Sequence, residues 1–169
     1  MNTYFTTITV VDWEPVFELF PDCNNIITST FSYLANNKIA AIYGFVLMRD
    51  HMHIMWCPLD ISINELIKKF KQFTGNQIIR CLYKENMDYL VCNFSTNRAD
   101  RDFQFWKLKS GSLEIKGSTM FCQKLNYMHQ NPVRGGYVVC KDPSDYFHSS
   151  AKSYRVKESL FSFLTLKEF

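Results

Sequence analysis

Residues 39–57 form two apolar stretches parted only by Arg49-Asp50, and the second stretch opens with His51-Met52-His53. A charged pair between two such runs reads as a tight connection between strands, residues 39–48 and 51–57. Successive side chains of a strand alternate faces, so residues 51 and 53 point one way and Met52 and Ile54 the other. The chain has four histidines, and two of them thus share one face of an apolar strand. Two imidazoles so placed are half of a divalent-metal site. Spacing alone does not separate this from two surface histidines on a half-exposed strand.

The second informative segment is Tyr127-Met128-His129-Gln130-Asn131-Pro132-Val133-Arg134. Upstream, Phe121, Cys122, Leu125 and Met128 recur at helical spacing, which predicts a helix over residues 118–130 with Ser118 as N-cap. Pro132 disfavours the α conformation for Asn131 and so ends the helix there. Tyr127 and Asn131 are four apart and share one side of the last turn. A phenol and an amide oxygen placed together in this way can meet a metal held by the histidines. The plainer alternative is an ordinary helix terminus, with Tyr127 half-buried and Asn131 ending the helix.

Taken together, His51-x-His53 in an apolar strand and Tyr127-x-x-x-Asn131-Pro132-Val133-Arg134-x-Gly136 resemble the REP-associated tyrosine transposases, members of the single-tyrosine HUH transposases. Lys68-Lys69-Phe70-Lys71-Gln72-Phe73-Thr74 is similar to that family's central helix, and residues 145–154 to its C-terminal segment, so the likeness spans about residues 3–155. It implies a ferredoxin-like α+β fold with the histidines on a central strand and the tyrosine on a later helix. It also implies metal-dependent cleavage and strand transfer of single-stranded DNA, as in DNA transposition. In that scheme His51, His53 and Asn131 are ligands for Mg²⁺ or Mn²⁺, and Tyr127 is the nucleophile that forms a 5′-phosphotyrosine. The expected partner is single-stranded or hairpin DNA, bound by a monomer or a homodimer. Two departures from the family pattern stand out. Arg49-Asp50 replaces the usual Pro-Asn before the histidines, and Phe105-Trp106-Lys107-Leu108 matches poorly the segment that precedes the tyrosine helix.

Charge adds less. The net charge is +3, modest for a nucleic-acid binder, but the cations are grouped. Lys68, Lys69, Lys71 and Arg80 fall on one helix, Arg98, Arg101, Lys107 and Lys109 follow, and Arg134, Lys141, Lys152, Arg155 and Lys157 trail the tyrosine. Lys68, Lys69, Lys71, Arg134, Lys152 and Arg155 are the expected DNA contacts, with interleaved aromatics such as Phe73, Trp106 and Phe147 offering stacking faces. Taken one at a time, solvated lysines beside core aromatics account for most of these. His129 lies on a different helix face from Tyr127, as a structural or DNA-contacting residue, and His148 sits in a Ser-rich turn.

The remaining pattern gives the order β-α-β-β-α-β-α. Residues 4–11 are rich in Thr, Ile and Val, a strand composition. Ile26, Ile27, Thr30, Phe31 and Leu34 mark a helix, and Ser62-x-x-Glu65 is a capping box for another that Gly75 is expected to bend or split. Residues 86–101 read as a loop, and 103–108 with 113–115 as a strand or hairpin. This order suits an antiparallel sheet with helices packed on one face. A chain 47% hydrophobic and 16% aromatic folds as one compact domain over 1–169, with 140–169 a C-terminal extension. Six scattered cysteines without a CxxC pair, and no leader-like start, lead to the expectation of a cytoplasmic protein with reduced thiols. No apolar run approaches the length of a membrane span. Two other readings stay open: a hairpin DNA or RNA binding module that no longer cuts, and a zinc hydrolase using His51, His53 and Cys57.

Overall fold

The structure, a computed structural model, describes residues 1–134 and 139–167. Four antiparallel strands, β1 (Thr3–Thr9), β2 (Ala40–Leu47), β3 (His51–Pro58) and β4 (Gly111–Ile115), are ordered β2-β3-β1-β4. This is the ferredoxin-like α+β order, with β3 in the interior of the sheet. Helices α1 (Val16–Leu19), α2 (Cys23–Asn36), α3 (Ile63–Lys84), α4 (Asp88–Cys92), α5 (Gly117–His129) and α6 (Ala151–Val156) complete it.

Strand alternation separates two cores. Met52, Ile54 and Trp56 of β3 join Ile8 of β1 in a large core closed by Phe31 of α2 and Phe70 of α3. On the other face Met55 of β3, Phe5 of β1 and Val46 of β2 meet Phe121 and Met128 of α5. The α2/α3 pair on one face is as expected. The tyrosine helix, however, lies across the opposite face, because Phe5, Val46 and Met55 form an apolar patch there that needs a cover of its own.

Local chemistry explains most boundaries. Ser62 caps α3 by accepting from the Glu65 backbone N–H at 3.2 Å. Gly75 does not split that helix, which runs unbroken from Ile63 to Lys84. It faces the segment that follows: a Cβ there would stand in ordinary contact, 3.4 Å from Phe105 Cβ and 3.5 Å from Trp106 Cδ1. Phe105 and Trp106 therefore fill the core rather than forming half of a hairpin, and the Trp106 indole donates to Thr74 Oγ1 at 2.9 Å. Only residues 111–115 of that region form a strand, β4, paired with β1. The stretch expected to be a loop contains α4, whose Leu90 and Val91 are buried. Helix α5 starts at Gly117, one residue earlier than Ser118, with Lys116 at the cap position.

The C-terminal segment is woven into the fold. The Leu47 amide donates to His148 O, the Ser150 amide to Phe45 O and the Thr165 amide to Ile42 O, so β2 is flanked by chain from both sides. Phe163 and Leu164 enter the large core. Among the described residues, no helix is long and apolar enough to cross a membrane.

Gly44 of β2 is where α5 comes closest. A Cβ at this position would meet Met128 Cε at 2.7 Å, Leu125 Cδ1 at 2.9 Å and Ser150 Oγ at 3.4 Å. The first two are ends of flexible side chains, so Gly44→Ala should be tolerated. Gly44→Val overfills the contact and should lower stability by about 1–3 kcal/mol, read as a lower urea midpoint at unchanged slope.

Candidate active site

The pairing of β3 with β1 sets Thr9 opposite His51 and Thr7 opposite His53. Both imidazoles leave the sheet on the α5 side, with ring centroids 5.1 Å apart. The ring centroid of Tyr127, in the last turn of α5, lies 5.7 Å from that of His53 and 6.0 Å from that of Phe5, both in edge-to-face geometry. The helix ends just after it, and a 3₁₀ turn, Asn131–Val133, carries Asn131 back toward the same point. The Asn131 amide Nδ2 donates to Tyr127 O at 2.9 Å and Met128 O at 3.3 Å, satisfying two helix-terminal carbonyls. That leaves its Oδ1 as the atom for the hydrogen bond between Asn131 and the His53 ring. The four residues singled out in the sequence therefore converge. Of these, Tyr127 is about half exposed and His53 is buried.

Each histidine has a partner that orients it. Asp50 Oδ1 lies 2.6 Å from His51 Nδ1, leaving Nε2 of that ring open. Burial opposes ionisation of Asp50. Its hydrogen bond to His51, with the neighbouring His51 and Arg49 charges, nevertheless holds the carboxyl below its ordinary value. Thr7 Oγ1 sits 2.8 Å from His53 Nδ1, and Phe5 stacks on the His53 ring at 5.2 Å. Burial, followed by the adjacent His51 and Lys124 charges, pushes the His53 pKa down to about 3, although the Asn131 bond works the other way. His53 is thus a neutral imidazole at physiological pH, the form a metal requires.

Asp50, a departure from the family pattern, is both a turn residue and an imidazole partner, since its carbonyl also accepts from the Val10 amide at 2.9 Å. The donor set suits a hard divalent cation only if Asn131 is included. Among the described residues no group of three or more His, Cys, Asp or Glu side chains is placed to hold a metal. This removes the zinc site with Cys57. Cys57 stands four residues along the strand from His53, about 13 Å at strand rise, and its thiol donates to Pro58 O at 3.6 Å.

The other sequence-selected residues are scattered. Lys68 and Lys69 lie exposed on α3, across the sheet from the histidines, and Lys69 pairs with Glu65 at 2.8 Å. Lys71 is held within the protein: its ammonium donates to Lys107 O, Leu108 O at 2.8 Å and Ser110 Oγ at 3.2 Å. Arg134, exposed, follows the turn that carries Asn131. On α6, Lys152 is exposed, while Arg155 pairs with Asp142 at 3.0 Å and donates to Ser144. Gly136 of the motif lies outside the described residues. His129 is buried, with Nε2 2.8 Å from Ser150 Oγ, and serves packing. His148 Nε2 lies 3.3 Å from Asn24 Nδ2.

Sequence reasoning passed over Lys124, one turn before Tyr127, whose ammonium stands 5.6 Å from the Tyr127 ring centroid and 5.5 Å from that of Phe5. Its i, i+3 spacing to Tyr127 was the available signal. Thr7 and Phe5 carried none, because their role depends on strand register.

No protein-family model matches the chain, and no curated protein matches it by sequence. Its fold is similar to a solved structure described as a REP-associated tyrosine transposase bound to a REP hairpin. The TM-score is 0.64 at 14% identity, with 99% of this chain and 88% of that one covered.

His53 and His129 make stability pH-dependent. Burial lowers His53 to about 3 and His129 to about 4, against 6.5 when free. The unfolded chain therefore binds more protons, so the contribution is complete above pH 6.5 and is lost as pH falls to about 4 for His129 and about 3 for His53. Urea midpoints should drop on acidification through that window, and His129→Gln should flatten part of the drop.

Proposed function

We propose that this chain is a tyrosine-dependent DNA strand transferase that cleaves and rejoins single-stranded DNA, a transposase-type activity, and recognises its substrate as hairpin DNA. One observation carries the reading: His51, His53, Tyr127 and Asn131, from a strand and a helix end far apart in sequence, converge on one side of the sheet. The fold shared with a hairpin-bound tyrosine transposase supports the choice of substrate.

Tyr127 is the nucleophile in this scheme. Its phenol oxygen bonds to the scissile phosphorus, the bond to the 3′-oxygen breaks, and a 5′-phosphotyrosine and a free 3′-hydroxyl result. Attack by that or another 3′-hydroxyl reverses the step, so the phosphoester bond energy is conserved. Lys124 is poised to offset negative charge building on the phenol and the phosphate. His51, His53 and Asn131 would hold Mg²⁺ or Mn²⁺, which when bound polarises a non-bridging oxygen of the phosphate. Asp50 holds the His51 imidazole aimed with its Nδ1 protonated, and Thr7 orients the His53 ring.

The test is a denaturing gel with a labelled single-stranded oligonucleotide carrying a hairpin from the gene's own flanks. A divalent-metal-dependent covalent adduct should form with the wild type, be abolished by EDTA and be absent from Tyr127→Phe. Asp50→Asn should raise the metal concentration needed for half-maximal adduct by roughly 10- to 100-fold while retaining Tyr127 reactivity at saturating metal. Tight hairpin binding without any adduct would replace this reading with that of a non-cutting hairpin-binding module.

A further inference from the structure

Next to the histidines the chain makes an unusual turn. Asp12 and Trp13 both have positive φ, 53° and 60°, conformations that are uncommon for residues with a Cβ and rare in succession. The turn is tied at its base, since the Val10 amide donates to Asp50 O and the Val11 amide to Phe105 O, both at 2.9 Å. Within it the Trp13 amide donates to Val10 O at 3.2 Å. Such strain persists only where the surroundings impose it, and here it serves no burial: Trp13 is 54% exposed. Trp56 and Trp106, the other two tryptophans, are both in the core.

The turn points the indole at the site. Its ring stands 6.1 Å from that of His51, edge to face, and the Lys107 ammonium lies 4.1 Å from its centroid. Lys107 is fixed by its own amide, which donates to Thr9 O at 2.8 Å. The ammonium stands over one face of the exposed indole, so a base would stack on the other face, with a charge nearby for the phosphate attached to it. Asp12 and Glu14 flank the indole in sequence, and Glu14 accepts from Asn93 Nδ2 at 3.1 Å. Two carboxylates there disfavour a site selecting for phosphate alone and leave base stacking as the main attraction.

We propose that Trp13 and Lys107 form a stacking platform for an unpaired nucleobase of single-stranded DNA. The base belongs to a nucleotide neighbouring the phosphate at His51, an assignment that rests on the function proposed above. Stacking accepts any base, so the platform positions the strand rather than reading its sequence.

The test needs neither cleavage nor metal. Because Trp56 and Trp106 are buried, Trp13 dominates the solvent-sensitive tryptophan emission. Tyr127→Phe protein in EDTA is titrated with single-stranded oligothymidine and with an abasic oligonucleotide of equal length. Oligothymidine should quench the emission and the abasic strand should not. Read by the anisotropy of end-labelled oligothymidine, Trp13→Ala should weaken binding roughly five- to 150-fold, the range for one lost stacking contact, and Trp13→Phe should restore most of it. Lys107→Gln should retain the quenching and lower the salt dependence of binding by about one phosphate contact. Equal quenching by the two strands, no quenching by either, or unchanged affinity in Trp13→Ala would overturn the platform. Base-dependent quenching in a protein that forms no adduct keeps the platform and rejects the cleavage chemistry. Normal adduct formation without quenching does the reverse.

Discussion

Strand β3 is hydrogen-bonded along both edges, to β1 and to β2, so its side chains can leave only through the two faces of the sheet. Met52, Ile54 and Trp56 take one face and close the large core under α2 and α3. His51, His53 and Met55 take the other. Met55 packs beneath α5 while the two imidazoles emerge at the end of the same row, where that helix terminates. A slip of one residue in this register would exchange the faces, burying the histidines in the large core and expelling Trp56. The packing energy of three large apolar side chains thus holds the histidines in place.

The position of Tyr127 is set less directly, through the way α5 is held against the sheet. Gly44 lets the side-chain ends of Met128 and Leu125 sit directly against β2, where a larger residue would push them back. Ser150 joins three segments: its hydroxyl accepts from the Phe45 amide at 3.0 Å and meets His129 Nε2 at 2.8 Å. Tyr146 and Tyr154 donate their hydroxyls to Leu47 O and Tyr43 O, at 2.7 and 2.6 Å. Through these bonds the C-terminal segment clamps β2 and α5 together. A buried hydrogen bond lost here leaves a donor or acceptor unpaired, which makes the arrangement stiff as well as stable.

Electrostatics in the cluster are local. Desolvation keeps His53 neutral, a carboxylate backs His51, and Lys124 supplies a positive charge beside the tyrosine. The wider basic character of the chain bears little on this. Lys71 is spent on backbone carbonyls, Arg155 and Lys69 are ion-paired, and α3 faces away from the site. Besides Arg49, which pairs with Asp50, the cations described near the histidines and tyrosine are Lys124, which lay in no basic group of the sequence, and Lys107, which lay in the 98–109 group but was not among the expected DNA contacts.

Much of this was legible in the sequence, for a reason that lies in backbone geometry. Alternation in residues 51–57, the 3.6-residue stripe of α3, the Ser62 cap and the helix stop at Asn131-Pro132 are properties of neighbouring residues, and their period states the element directly. From these came the strands, the main helices, the α+β class and the pairing of the histidine strand with a tyrosine helix. Residues 103–108 misled because two buried aromatics beside a Gly-Ser turn look like a strand, when their partner is Gly75, about 30 positions away. The face on which α5 lies, the partners of His53, the closeness of Lys124 and the indole of Trp13 beside His51 were not readable at all. They arise from register and from contacts between segments distant along the chain, which no local period encodes. The sequence by itself determined which elements form and where along them the histidines, the tyrosine and the asparagine lie, while the tertiary structure alone decided which of them meet.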